Sequence, residues 1–222
     1  MKYVIANWKA NKTMTEAKQW VEEFLKNDFS DFTDKVEIII CPPFPFLTMI
    51  WGKTQAYSFI KVGSQDVSQF EEGTYTGEVT AKTLSGIIDY AIVGHSERRR
   101  NFNENKTVIE RKITLLKKYL INPILCLGDS NDVVYEAVNF VVGEPPSAIS
   151  SGTGFGANLP LDEVVNLRHQ LKINSQRFIY GGSVNEANAR MYLENEYIDG
   201  VLPGGASLDP DRLYKIAKSA II

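Results

Sequence analysis

Short apolar runs alternate with longer amphipathic stretches along the whole 222-residue chain. Eight of the short runs read as strands: Tyr3 to Ala6, Val36 to Ile40, Ile60 to Val62, Tyr90 to Val93, Ile124 to Leu127, Val138 to Val142, Phe178 to Tyr180 and Ile198 to Leu202. Most are apolar at every position instead of alternating, as parallel strands buried on both faces require. Helical patterns lie between them. Thr13 and Glu16 form a capping-box pair that opens a helix toward Asn27. Ile109, Ile113, Leu116 and Leu120 make a buried stripe before the fifth strand, and Val164, Leu167 and Leu171 repeat it before the seventh. Ser183 with Glu186 fits a second capping box. Asp209-Pro210 caps and starts a last helix carrying Leu213, Ile216 and Ala220.

Eight strand–helix units in series predict the α/β class and a closed (β/α)8 barrel, spanning residues 1–222 as one domain. The rival is an open doubly wound sheet, which brings a Gly-x-Gly-x-x-Gly turn after its first strand. Here that turn reads Asn7-Trp8-Lys9, without glycine. The fifth unit is short. Only Asp129 to Ala137 separates its strand from the next, enough for one or two helical turns.

Composition narrows the partners. Hydrophobic residues make up 44% of the chain, which supports a sizeable core, and the formal net charge is −3, which gives no overall pull toward nucleic acid or an anionic membrane. No apolar run approaches the roughly 18 residues of a membrane span. The N-terminus enters a strand-like run at once and lacks a signal-peptide pattern. Two cysteines far apart, Cys41 and Cys126, fit a reduced, cytoplasmic protein.

In a barrel of this kind the working residues lie at the C-terminal ends of the strands. Those ends carry Asn7 and Lys9 after the first strand, Gln65 after the third, and His95 with Glu97 after the fourth. Cys126 follows at the fifth, Glu144 at the sixth, Gly181-Gly182-Ser183 at the seventh and Gly204-Gly205 at the eighth. Glycine turns let backbone N–H groups approach an anion closely, and barrels hold phosphate with the turns after strands seven and eight. The implied ligand is a small phosphate monoester. Beside it, a carboxylate (Glu144), an imidazole (His95) and a fixed cation (Lys9) suit proton abstraction next to a carbonyl. Neither a nucleophile–base pair nor a metal-ligand set stands out. Arg99 is expected to make ion pairs that support the site or an interface, and Cys126 to pack near the site without acting as a nucleophile.

These segments resemble the triosephosphate isomerase family along nearly the whole chain. The resemblance is carried by Ala6-Asn7-Trp8-Lys9, Val62 to Ser68, Gly73 to Glu78, Val93 to Arg99, Leu125 to Asp129, Gly143-Glu144-Pro145, Gly152-Thr153-Gly154, Tyr180 to Val184 and Gly204 to Leu208. The Gly-His-Ser-Glu-Arg and Tyr-Gly-Gly-Ser-Val matches are the most specific. The resemblance implies a TIM barrel that interconverts dihydroxyacetone phosphate and D-glyceraldehyde 3-phosphate without cofactor or metal, a step of glycolysis and gluconeogenesis. It makes Glu144 the base and His95 the electrophile, held neutral by a helix N-terminus as in this family generally. It makes Asn7 and Lys9 substrate contacts, with Ser183, Gly204 and Gly205 around the phosphate and Glu97 positioning Asn7 and Lys9. The alternatives are a non-catalytic phosphosugar-binding barrel and another sugar-phosphate isomerase or epimerase.

Two further expectations follow from the resemblance. The first concerns the lid after Glu144. The family usually reads Glu-Pro-Val-Trp-Ala-Ile-Gly-Thr-Gly, whereas this chain reads Glu144-Pro145-Pro146-Ser147-Ala148-Ile149-Ser150-Ser151-Gly152-Thr153-Gly154. The hinge tryptophan is absent and two serines precede the Gly-Thr-Gly, so Ser150 by count or Gly152 by motif gives the phosphate its N–H. Tyr180 is expected to hold the closed lid near Ala157. The second concerns the loop from Gln69 to Glu78, whose Thr76 matches the threonine that reaches a partner subunit's site, so a homodimer is expected.

Overall fold

The computed structural model describes residues 1–128, 132–145, 158–173 and 175–221. Eight strands close into a parallel barrel in sequence order: β1 (Lys2–Asn7), β2 (Val36–Cys41), β3 (Ile60–Ser64), β4 (Tyr90–Val93), β5 (Asn122–Leu127), β6 (Phe140–Gly143), β7 (Arg177–Tyr180) and β8 (Gly200–Val201). The closing pair sets Tyr3 opposite Gly200 and Val4 opposite Val201. Every strand predicted from the apolar runs is present, with ends displaced by two residues at most.

Strand side chains alternate between two cores, which explains why the runs are continuously apolar. Tyr3, Ile5, Ile39, Ile92, Ile124 and Val142 fill the barrel interior. Val4, Ile38, Ile40, Val93, Leu125 and Val141 face outward beneath the helices. Tyr3 and Tyr90 each meet Phe140 edge to face, at 4.9 and 5.4 Å, near the strand starts. That packing fills the barrel interior near its N-terminal end.

The helices among the described residues are α1 (Met14–Phe24), α2 (Leu47–Thr54), α3 (Ala81–Leu84), α4 (Ser96–Phe102), α5 (Lys106–Lys118), α6 (Leu161–Gln170), α7 (Ala189–Leu193) and α8 (Pro210–Lys218). The Thr13–Glu16 capping box forms on α1, and Asp209 caps α8 through the Arg212 N–H. None of these helices is long and apolar enough to cross a membrane.

Three local expectations are corrected. Leu120 is not part of the α5 stripe: the helix stops at Lys118, and Leu120 takes φ 59° and is 90% exposed. Ile121 turns inward in its place, its N–H bonding the Leu116 carbonyl. No helical turn forms in the described part of the β5–β6 connection, residues 132–139. There Val134 and Tyr135 pack against the outer core from an irregular segment just before a turn at residues 136–137. Ser183 opens no helix either. The chain first turns through Asn185, whose N–H bonds Asn188 Oδ1, and α7 starts only at Ala189.

Candidate active site

β1 ends at Asn7, which is buried, and two residues later Lys9 takes φ 51°. This left-handed conformation is rare for a side-chain-bearing residue and costs on the order of 1 kcal/mol. Two hydrogen bonds hold it. The Lys9 N–H donates to Asn7 Oδ1 at 3.1 Å, and Gln65 Nε2 donates to the Lys9 carbonyl at 2.9 Å. The Lys9 Nζ then reaches Glu97 Oε1 at 2.6 Å across the mouth.

β4 ends at Val93, and Gly94 reverses the chain at φ 70°. A Cβ there would lie 2.9 Å from Arg99 Nη2 and 3.1 Å from Ile109 Cδ1, so a side chain is excluded by space as well as by conformation. His95 caps α4. Its Nδ1 accepts the Glu97 N–H at 3.2 Å, so in the neutral ring the hydrogen resides on Nε2. Nε2 faces Glu144 Oε1 at 2.9 Å, and Glu144 Oε2 accepts the Ser96 N–H at 3.0 Å. Glu144 itself is set by β6, its N–H bonding the Leu127 carbonyl of β5.

The two titrating groups shift in opposite directions. Burial pushes the Glu144 carboxyl up, but His95, the Ser96 N–H and Lys9 outweigh it and hold its pKa below the ordinary value. Burial disfavours the charged form of His95, while the Glu144 and Glu97 carboxylates outweigh that and raise its pKa. Burial pushes the Cys126 thiol well up, consistent with a packed residue and not a nucleophile.

The glycine turns reach the same mouth. A Cβ on Gly181 would lie 3.0 Å from Glu144 Cγ, and one on Gly204 would lie 3.5 Å from Lys9 Cε. Gly205 opens a short 3-10 turn (Gly205–Leu208) anchored by Ser207, whose N–H and Oγ both donate to the Gly204 carbonyl. Ser183 follows Gly182 on the β7 turn. Tyr180 is fully buried, its ring 4.6 Å from that of Tyr192. Thr76 sits in the exposed loop over residues 71–78, where Phe70 and Tyr75 stack at 4.1 Å. Ser150, Gly152 and Ala157 lie outside the described residues. Among the described residues, no group of three or more His, Cys, Asp and Glu side chains could hold a metal ion.

Sequence reasoning missed a buried charge network behind His95. Glu104 Oε1 accepts the Gly94 N–H at 2.8 Å, and its Oε2 takes Arg98 Nε at 2.6 Å and Lys112 Nζ at 2.7 Å. Lys112 and Arg98 both continue to Asp66, beside Gln65. One signal was available: Lys112 lies on the α5 face shared by Ile109 and Leu116, where a lysine must find buried carboxylates. The ion pair expected of Arg99 is made with Asp132, at 3.1 Å.

The family described as "Triosephosphate isomerase" matches residues 2–142 and 132–220 of this chain. The triosephosphate isomerase of Aquifex aeolicus (strain VF5) is 35% identical over 248 aligned positions, covering 97% of this chain and 98% of that protein. Those of Mesomycoplasma hyopneumoniae (strain 232) and Dictyoglomus thermophilum are each 32% identical, over 97% and 98% of this chain and 98% and 99% of their own lengths. The Aquifex alignment is longer than the 222 residues available here, so that protein carries residues with no counterpart in this chain. With the closed barrel and the residues gathered at its mouth, these matches show that the chain belongs to the triosephosphate isomerase family.

Proposed function

We propose that the chain interconverts dihydroxyacetone phosphate and D-glyceraldehyde 3-phosphate by proton transfer through an enediolate, with Glu144 as base, His95 as electrophile and Lys9 as fixed cation. The observation that carries this reading is the 2.9 Å contact between His95 Nε2 and Glu144 Oε1, with Lys9 bound to Glu97 on the same rim. In the unliganded site Glu144 occupies the hydrogen bond that a substrate carbonyl needs. A carbonyl oxygen entering at His95 Nε2 displaces the carboxylate, which then faces the adjacent carbon. Loss of that contact also weakens the largest of the interactions that raise the His95 pKa, which favours a neutral N–H donor.

Glu144 takes a proton from the carbon next to the carbonyl, and the electron pair moves onto the carbonyl oxygen. The resulting enediolate is met by the Nε2–H and by the Lys9 charge. The imidazole moves the hydroxyl proton between the two oxygens, and Glu144 returns its proton to the former carbonyl carbon. Asn7 supports Lys9. Backbone N–H groups at Ser183, Gly204 and Gly205, with Ser150 or Gly152 from the lid, receive the phosphate, and Tyr180 steadies the closed lid. An assay coupling glyceraldehyde 3-phosphate to a dihydroxyacetone phosphate reductase tests the reaction. Turnover is expected with no metal or cofactor beyond the reductant of the coupling enzyme, and binding without turnover would favour a phosphosugar-binding protein.

The working unit in this reading is a homodimer. The exposed 71–78 loop carries Thr76, and a cavity of about 350 Å³ lined by Lys9, Phe44, Gln65, His95, Glu97 and Phe102 stands ready for a partner's loop. Sedimentation equilibrium should return twice the 24.9 kDa chain mass, and a monomer at full activity would contradict the assignment. We further assign the enzyme to the cytoplasm, in keeping with two free, buried thiols at Cys41 and Cys126. Recovery of its activity only with membranes or in an exported fraction would refute that. One calorimetric transition is expected for residues 1–222 as a single domain, whereas two separable transitions would divide it.

A further inference from the structure

We propose that Asp132, in the shortened β5–β6 connection, is a positioning residue for His95 that acts through the Arg99 guanidinium. The inference rests on the isomerase reading above. Gly94 precedes His95, and its carbonyl accepts Arg99 Nε at 2.6 Å. The same guanidinium donates through Nη2 to the Cys126 carbonyl at 2.9 Å. One planar fork therefore gathers the residue after β4 and a residue of β5. Its third donor, Nη1, meets Asp132 Oδ1 at 3.1 Å, and Asp132 Oδ2 accepts the Gly128 N–H at 2.6 Å.

The carboxylate thus fixes the fork from the side away from the two carbonyls and ties it to the chain just after β5. The adjacent residue Leu127 accepts the Glu144 N–H, so the ends of β4, β5 and β6 are joined within one short network. Arg99 and Asp132 keep 28% and 21% of their side chains exposed, so the pair adds little as an ion pair alone. Its contribution is orientation: a guanidinium presents its donors in a rigid plane, and holding one edge aims the other two. Among the described residues, the hydrogen bonds named above join the ends of β4, β5 and β6 and not the glycine turns after β7 and β8, so their loss should act on proton transfer and not on substrate affinity.

The test is kcat and KM for Asp132→Ala and Asp132→Asn with glyceraldehyde 3-phosphate, together with the ¹⁵N resonances of the His95 ring. Asp132→Ala should lower kcat about tenfold, a fraction of the hundredfold that displacement by about 1 Å costs, with KM nearly unchanged. The ring resonances should shift, and Asp132→Asn, which keeps an acceptor for Nη1 but loses the one for the Gly128 N–H, should recover part of the rate. A fall in thermal midpoint with wild-type kcat and wild-type ring resonances would make Asp132 structural only and overturn the proposal. A rise in KM at constant kcat would overturn it equally. If Asp132→Ala does not fold, Asp132→Asn and Arg99→Lys decide. Lysine reaches only one of the two carbonyls, so its loss of kcat should exceed that of Asp132→Asn, and wild-type values in both would refute the role. If the unaltered protein fails to turn over substrate, the isomerase reading falls, while the His95 resonances still report whether Asp132 holds the ring.

Discussion

The turns after β4 and β8 open onto the same barrel mouth and are built in opposite ways. At the first, Gly94 is left-handed and crowded, and charged side chains take both of its peptide groups: Glu104 its N–H and Arg99 its carbonyl. At the second, Gly204 has a negative φ of −88° with ψ −90°, and among the described residues only Ser207 bonds its carbonyl. A Cβ added there would meet Lys9 at 3.5 Å, normal contact distance. One turn is locked to aim an imidazole. The other is kept bare on its open side, which suits a ligand reached by backbone N–H groups. In the proposed reaction, side chains aim the proton transfer, and the absence of side chains makes room for the phosphate.

The largest effect expected is on the proton-transfer side. Glu144→Gln should lower kcat on the order of a thousandfold with little change in KM, because only the step that moves a carbon-bound proton loses its base. Lys9→Met comes next. Lys9 pairs with Glu97 and lies against the β8 turn, so its loss should lower kcat/KM about a hundredfold through both constants. A pure KM effect would place Lys9 on the phosphate side alone. The two glycines separate the turns more finely. Gly94→Ala should destabilise the fold by about 2 kcal/mol in chemical denaturation. Gly204→Ala, at a negative φ and with normal contact distance for the added Cβ, should cost less stability than Gly94→Ala and raise KM about tenfold, near the 1.4 kcal/mol that one obstructed contact would cost. Equal stability losses for both would erase the contrast.

The smallest effect is a pH dependence of stability. The Glu144 pKa is lowered from its ordinary 4.5, so its contribution is present above that value and fades as pH falls through the lowered pKa. The His95 pKa is raised from 6.5, so its contribution is present below that value and fades as pH rises through the raised pKa. The pair therefore stabilises the unliganded fold most between about pH 4.5 and 6.5. The difference in thermal midpoint between the unaltered protein and Glu144→Gln should peak in that window, and a flat difference would deny the coupling.

His95, Lys9 and Glu144 were legible in the sequence because each is a chemically distinctive residue just past an apolar run, and the barrel brings strand ends together whatever lies between. The barrel itself was legible for the same reason, since doubly buried strands leave continuous apolar runs. What escaped depends on where the chain turns. Leu120 keeps the helical spacing of its stripe, yet the helix ends at Lys118 and Ile121 takes the buried place. The capping pattern at Ser183 is overridden by the Asn185–Asn188 turn. Glu104, Lys112 and Asp66 are distant in sequence and meet only because β3, β4 and α5 converge, and Asp132 finds Arg99 only because its connection is short.

The fate of one proton tests the assignment of Glu144 most directly. Isomerisation of dihydroxyacetone phosphate in D2O, followed by NMR of the product, should place solvent deuterium on the carbon that receives the proton. Glu144→Gln should lose isomerisation and deuterium uptake in parallel, on the order of a thousandfold. Deuterium-free product formed by Glu144→Gln at the rate of the unaltered protein would contradict a carboxylate-borne proton transfer at this site.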